Sequence, residues 1–195
     1  MLQSSRRIIK RVHTLDIEYR MLSNFDIEEI ANRYNVDVAI VMKDELKNIK
    51  PINTNYIIYF GSSSMGNGTH WMGLNIENKN CVCFDSYGML PPEEIISFCK
   101  RIPKSHLSYN TKEIQDLNAK KCGFFAIAFI IFLHTNTSED LYKRSSFFSD
   151  LFLLDTKLNN KKLQRFFRLL LNQSTLPILK KLYSQQWFSI CHLIL

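Results

Sequence analysis

The chain has 195 residues, 46% of them hydrophobic and 22% charged, with 14 Phe against 6 Gly and 5 Pro. That is enough apolar material for one sizeable core, and it excludes the disordered, low-complexity and collagen-like classes. The net charge of +7 is unevenly spread, because seven of the 25 Lys and Arg follow Asp155 and no acidic residue does.

Neither a repeat nor a Gly-, Pro- or Ser-rich linker divides the sequence, so a single domain over residues 1–195 is expected, with 1–21 as an N-terminal extension. Arg6, Arg7, Lys10 and Arg11 are not followed by an apolar stretch of signal-peptide length. The longest apolar run, Phe124 to Leu133, is about half of the ~20 residues a bilayer span needs, so no membrane segment is expected. Five cysteines, 81, 83, 99, 122 and 191, form no framework spacing, and their odd count favours a reducing compartment with at least one free thiol.

Ser23 or Asn24 caps a helix predicted over Phe25 to Tyr34, whose Ile27, Ile30 and Ala31 share a face and whose acidic residues crowd the first turn. The β-branched and aromatic run Tyr56 to Phe60 is a strand, and Gly61 to Gly68 is a loop. Trp71 to Ile76 and Cys81 to Asp85, joined by Glu77 to Asn80, make an antiparallel hairpin. Pro91 and Pro92 start a helix over Glu93 to Lys100, His106 to Tyr109 is a short strand, and Cys122 to His134 is an almost wholly apolar helix. Further helices follow, broken at Asn159 and at Pro177. Central strands flanked by helices, one of them apolar enough to be central, predict an α+β domain with a mixed, mostly antiparallel sheet.

In the C-terminal segment Lys161, Arg165 and Arg168 share one helical face, while Leu163, Phe167 and Leu170 lie on another. Together with Lys162, Lys180 and Lys181, these cations make a face on which a polyanion such as DNA can dock, or one that serves solubility. Cys81 and Cys83 point the same way along a strand, and Cys191 adjoins His192, but no second pair with suitable spacing completes a tetrahedral site, so no metal is expected.

The residues that carry chemistry lie at element ends. Cys122 follows Lys120 and Lys121 at the start of the apolar helix, and unpaired N–H groups at a helix start favour a thiolate. Gly123 leaves room for a substrate backbone. His70 stands at the start of one hairpin strand and Asp85 at the end of the other, so Asp85 is placed to fix the imidazole tautomer while His70 takes the thiol proton. Gln115, seven residues before Cys122, offers an amide that, with the Cys122 backbone N–H, could hold an acyl oxyanion.

The words GTHWMGLNI, CFDSYG and QDLNAKKCGFFAIAF, in that order, resemble the His, Asp/Glu, Gln, Cys proteases of the adenoviral maturation type, a clan shared with proteases of ubiquitin-like modifiers. ANRY, the YFG segment and the CHL of the closing WFSICHLIL look similar to the adenoviral branch. The resemblance implies Cys122 as nucleophile, His70 as base and acid, Asp85 as its orienting partner, Gln115 with Cys122 as oxyanion donors, and Trp71 packed beside the site. It also implies an endopeptidase of a virus or virus-like element that cleaves capsid or core precursors beside glycine, in the virion and at the site of assembly, as a monomer stimulated by DNA and a peptide activator. Two positions depart from the pattern: Asp85 stands where the adenoviral enzyme usually has Glu, as in modifier proteases, and there is no cysteine between Arg101 and Gln115 to tether a peptide. A modifier protease and a basic DNA-packaging protein are therefore the rival readings.

Overall fold

The computed structural model describes residues 21–61, 70–137 and 139–171, with the side chains of 164–166 and 168–171 left aside. The N-terminal extension, most of the Gly61 to Gly68 loop, Pro177, Lys180, Lys181 and the closing WFSICHLIL lie outside the described residues.

The fold is α+β, as the sequence predicts: a five-stranded mixed sheet in the order β1-β2-β3-β4-β5, flanked by helices. The strands are β1 (Val38–Met42), β2 (Asn55–Phe60), β3 (His70–Glu77), β4 (Asn80–Phe84) and β5 (His106–Tyr109). The central pairings β2–β3 and β3–β4 are antiparallel, and the outer pairings β1–β2 and β4–β5 are parallel. The β3–β4 hairpin turns through Asn78 and Lys79, both at positive φ, the backbone that lets a two-residue loop match the twist of its strands.

Among the described residues, five α-helices lie around the sheet: α1 (Asn24–Arg33), α2 (Glu93–Lys100), α3 (Cys122–Thr135), α4 (Leu141–Asp150) and α5 (Thr156–Leu171). Ser23 caps α1 in a reciprocal box with Asp26, and Asp140 caps α4 by accepting from the N–H groups of Tyr142 and Lys143. The sequence predicts a break at Asn159, but α5 runs through it. Asp155 accepts from the N–H groups of Lys157 and Leu158, so the helix starts earlier. Asn159, 0% exposed, spends its side chain on the backbone of Leu153, just before the helix, and on the Ile114 carbonyl 45 residues away.

Alternate residues divide the core between the two sheet faces. On one face Trp71, Val82 and Phe84 pack with α1 and α3; on the other Met72, Leu74, Ile76, Cys81 and Cys83 pack with Ile95, Phe98 and Cys99 of α2. Helix α3 is buried from Cys122 to Leu133, which is why it reads as apolar on every side. It lies directly on β3: a Cβ at Gly73 would stand 3.0 Å from Phe129 Cδ1, so the absence of a side chain there allows this close approach. Phe148 of α4 completes this core, with ring contacts of 5.1 to 5.4 Å to Phe84, Phe129, Phe132 and Phe152. No helix among the described residues is long and apolar enough to cross a membrane.

Candidate active site

The site forms where the hairpin ends meet the start of α3. His70 opens β3 and Asp85 falls one residue past β4, at the head of a turn closed by the Gly88 N–H donating to the Asp85 carbonyl at 3.0 Å. Gly88, at φ +68°, is required here, since a Cβ would lie 2.7 Å from the Thr111 carbonyl oxygen. Asn110, just past β5, clamps the Asp85 backbone by accepting from its N–H at 2.8 Å and donating to its carbonyl at 2.6 Å. The carboxylate is held at both oxygens: Oδ1 accepts from the Tyr87 N–H at 2.7 Å, and Oδ2 lies 2.9 Å from His70 Nε2. Asp85 is thus both a turn residue, by its Asx bond to Tyr87, and the histidine's partner.

That carboxylate fixes the Nε2–H tautomer and leaves Nδ1 as the free ring nitrogen. Nδ1 is buried and makes no hydrogen bond of ordinary geometry, yet the Cys122 thiol is close enough to act on the imidazole charge. Burial disfavours that charge. The bond to Asp85, the thiol of Cys122 and the negative charge each can carry outweigh the penalty, and push the His70 pKa up to about 9. The structure therefore favours an imidazolium beside Cys122 at neutral pH.

Cys122 is the first residue of α3 and 3% exposed, and its N-cap Lys121 makes no side-chain cap bond. The first N–H groups of a helix have no carbonyl of their own helix to bond, so they point at whatever lies before it. Trp71 packs beside the site, its ring tilted against Tyr59 with centres 4.3 Å apart, and donates through Nε1 to the Leu22 carbonyl at 3.0 Å. Gly123 is filled differently from the sequence expectation. It is buried, and a Cβ there would stand 3.1 Å from both Leu22 Cβ and Trp71 Cδ1, so these side chains, not a substrate backbone, use the room glycine leaves.

Gln115 lies in the loop before α3, pinned to the Asp85 turn because the N–H groups of Ile114 and Gln115 both donate to the Ser86 carbonyl at 2.9 Å. Its side chain is 0% exposed and its amide is fully engaged. Oε1 accepts from Ser86 Oγ at 2.8 Å, while Nε2 donates to the Tyr87 hydroxyl at 2.9 Å and to the Ala119 carbonyl. The structure brings Gln115 to the site's wall but leaves no amide proton facing outward.

Three residues that sequence reasoning passed over build this site. Tyr87 stacks on His70 with ring centres 4.8 Å apart, inside the CFDSYG word already singled out for Asp85. Asn110 carries no sequence signal. Asn159 of α5 donates to the carbonyls of Ile114 at 3.1 Å and Leu153 at 2.7 Å, tying α5 to the Gln115 loop.

Of the basic residues, Lys161 is exposed and Lys162 half-buried on α5, opposite the side where Leu163 and Phe167 enter the core. Arg165 and Arg168 belong to α5, but their side chains, like Lys180 and Lys181, lie outside the description. The four described cysteines are free, and Cys81 of β4 and Cys99 of α2 belong to one buried core cluster. No group of three His, Cys, Asp or Glu among the described residues is arranged to hold a metal. A cavity of about 570 Å³ lies against α2, lined by Lys43, Leu46, Phe98 and Arg101, among others, and includes none of the site residues.

No protein-family model and no curated protein matches this chain. Several solved structures resemble it. The ASFV pS273R protease is 15% identical, with a TM-score of 0.42 over 78% of this chain and 80% of its own. AvrA delL154 with IP6 and CoA is 14% identical, with a TM-score of 0.40 over 69% of this chain and 61% of its own. The central domain of the uncharacterized Lpg1148 protein from Legionella pneumophila is 14% identical, with a TM-score of 0.44 over 83% and 99%.

Proposed function

We propose that this chain is a cysteine endopeptidase in which Cys122 is the nucleophile, His70 the base and acid, and Asp85 the group that orients His70. The observation that carries the reading is the 2.9 Å contact between His70 Nε2 and Asp85 Oδ2, with the Cys122 thiol at the helix start close enough to act on the imidazole and the His70 pKa pushed up to about 9. A thiolate beside an imidazolium attacks a peptide carbonyl. His70 then gives its proton to the leaving amine, and in the second half it takes a proton from water that hydrolyses the thioester. The groups that do this are a thiol, an imidazole and a carboxylate, so the chemistry calls for no metal.

The substrates proposed are viral capsid or core precursors, cut at extended glycine-containing sites during particle maturation, by a monomer acting in the virion and at the site of assembly in a reducing compartment. DNA is proposed to dock on α5 through Lys161, Lys162, Arg165 and Arg168 and on the following Lys180 and Lys181, and a peptide activator to bind without a disulfide. Asp85 in place of Glu favours a second reading, a protease of ubiquitin-like modifiers.

Mass spectrometry of a glycine-diverse peptide library and a panel of folded modifiers tests both, with wild type and Cys122→Ala, with and without DNA. Cutting of extended sites, lost in Cys122→Ala, is the expected result, and a DNA-dependent rate assigns the basic residues. Cutting of folded modifiers alone moves the assignment to the second reading, and cutting that survives in Cys122→Ala overturns both.

A further inference from the structure

We propose that the Tyr87 hydroxyl, with Gln115 behind it, is the side-chain donor that receives the oxyanion of the acyl-transfer step, alongside the backbone N–H of Cys122. The inference rests on the thiol-protease reading and deepens it by naming a catalytic residue and changing the role of another.

A glutamine amide has two N–H donors, and both of Gln115's are spent, one on the Tyr87 hydroxyl at 2.9 Å and one on the Ala119 carbonyl. Its oxygen is occupied by Ser86, and the side chain is 0% exposed, so an incoming carbonyl meets no free amide proton. Tyr87 is placed differently. Its hydroxyl oxygen accepts from Gln115, and its own proton has only the Ala119 carbonyl at 3.5 Å, the outer limit of a hydrogen bond. That carbonyl already receives the second Gln115 proton. The phenol O–H is therefore the spare donor of the network, and a hydroxyl that accepts a hydrogen bond donates a stronger one.

Position agrees with this count. Tyr87 is partly exposed, in contrast to Gln115, and its ring stacks on His70 at 4.8 Å, on the base that faces Cys122. Its backbone is locked by the bond from its N–H to Asp85 Oδ1 and by the turn closed at Gly88, so the ring is fixed before substrate arrives. Burial, with the neighbouring Cys122, Asp85 and Asp116, pushes the phenol pKa up to about 12, which keeps the donor protonated across the working range. In the step itself the Cys122 sulfur bonds to the carbonyl carbon and the carbonyl π pair moves to oxygen. Tyr87 donates a hydrogen bond to that oxygen without losing its proton. When the intermediate collapses, the C–N bond breaks and the amine leaves with the proton from His70.

Tyr87→Phe keeps the stack on His70 and removes only the hydroxyl. The expected result is a fall in kcat of roughly 100-fold or more with little change in KM, and a comparable loss of affinity for a peptide aldehyde, whose thiol adduct carries the same oxygen. Alkylation of Cys122 by iodoacetamide, which builds no oxyanion, should proceed at the wild-type rate with the wild-type pH profile. Gln115→Ala should cost less than Tyr87→Phe, and the double variant no more than Tyr87→Phe alone, because both act on one donor.

Wild-type kcat in Tyr87→Phe overturns the proposal. So does a multiplicative double variant, which would make Gln115 an independent donor, or alkylation that slows in step with kcat, which would make Tyr87 a positioning residue for His70. Wild type that shows no Cys122-dependent cleavage and no aldehyde adduct overturns the protease reading itself, and this inference with it.

Discussion

Asp85→Asn removes one charge from the site while keeping the side chain's size and an oxygen to accept the Tyr87 N–H. The His70 pKa, 6.5 in an ordinary environment, stands at about 9 here, which corresponds to about 3 kcal/mol of preference for imidazolium. Burial opposes that preference, so the partners must supply more than the net amount, and Asp85 acts by both hydrogen bond and charge. The variant should therefore titrate His70 at least about one pH unit lower.

The sign of the stability effect follows from the same shift. A group whose pKa is raised by folding contributes its full stabilisation below the unfolded value of 6.5, and loses it as pH rises through about 9. Asp85→Asn should thus be destabilised more at pH 6 than at pH 10, by about 1 to 3 kcal/mol, over and above any pH-independent cost of weakening the turn. Histidine NMR titration gives the first quantity, and urea unfolding at the two pH values gives the second. A His70 midpoint that stays near 9 in the variant, or equal destabilisation at both pH values, would refute the reasoning.

Gly88→Ala places a Cβ 2.7 Å from the Thr111 carbonyl oxygen in a residue at φ +68°, and should cost more than about 2 kcal/mol by urea unfolding. Asn159→Ala leaves buried groups of Leu153 and Ile114 unpaired, so a loss of about 1 to 3 kcal/mol is expected, along with faster amide exchange in the Gln115 loop. Phe148→Ala empties the position that touches four other rings and should cost about 3 to 5 kcal/mol in denaturant, leaving the pH profile of Cys122 alkylation unchanged in the folded fraction.

Elements whose two sides differ, or whose ends carry a stop signal, were legible in the sequence. The helix Glu93–Lys100 and the strand His106–Tyr109 lie where Pro92 and residue type place them, and Cys122 opens the apolar helix as expected. Strand β1 was missed for a physical reason. Val38 and Ile40 pack on the core of one sheet face, Ala39 and Val41 on the other, so VAIVM shows no alternation to read. Asn159 looks like a helix breaker because local propensity favours breaking, but its bond to the Ile114 carbonyl, 45 residues away, is a long-range fact. In the site, the positions of His70, Asp85 and Cys122 followed from strand and helix ends, while Gln115, a loop residue, was singled out by the resemblance of its word. Which protons Gln115 has left to give did not, because Tyr87, Ser86 and Ala119 reach it only once the Asp85 turn and the Gln115 loop are folded together.

The central claim is that Cys122 becomes acylated with the help of His70 and Asp85. The most direct measurement is intact-protein mass spectrometry after acid quench of a reaction with an activated glycyl ester. An acyl adduct that maps to Cys122, is absent in Cys122→Ala and forms at least about 100-fold more slowly in His70→Ala is the predicted result. An adduct on another residue, or one that forms on Cys122 just as fast without His70, would contradict it.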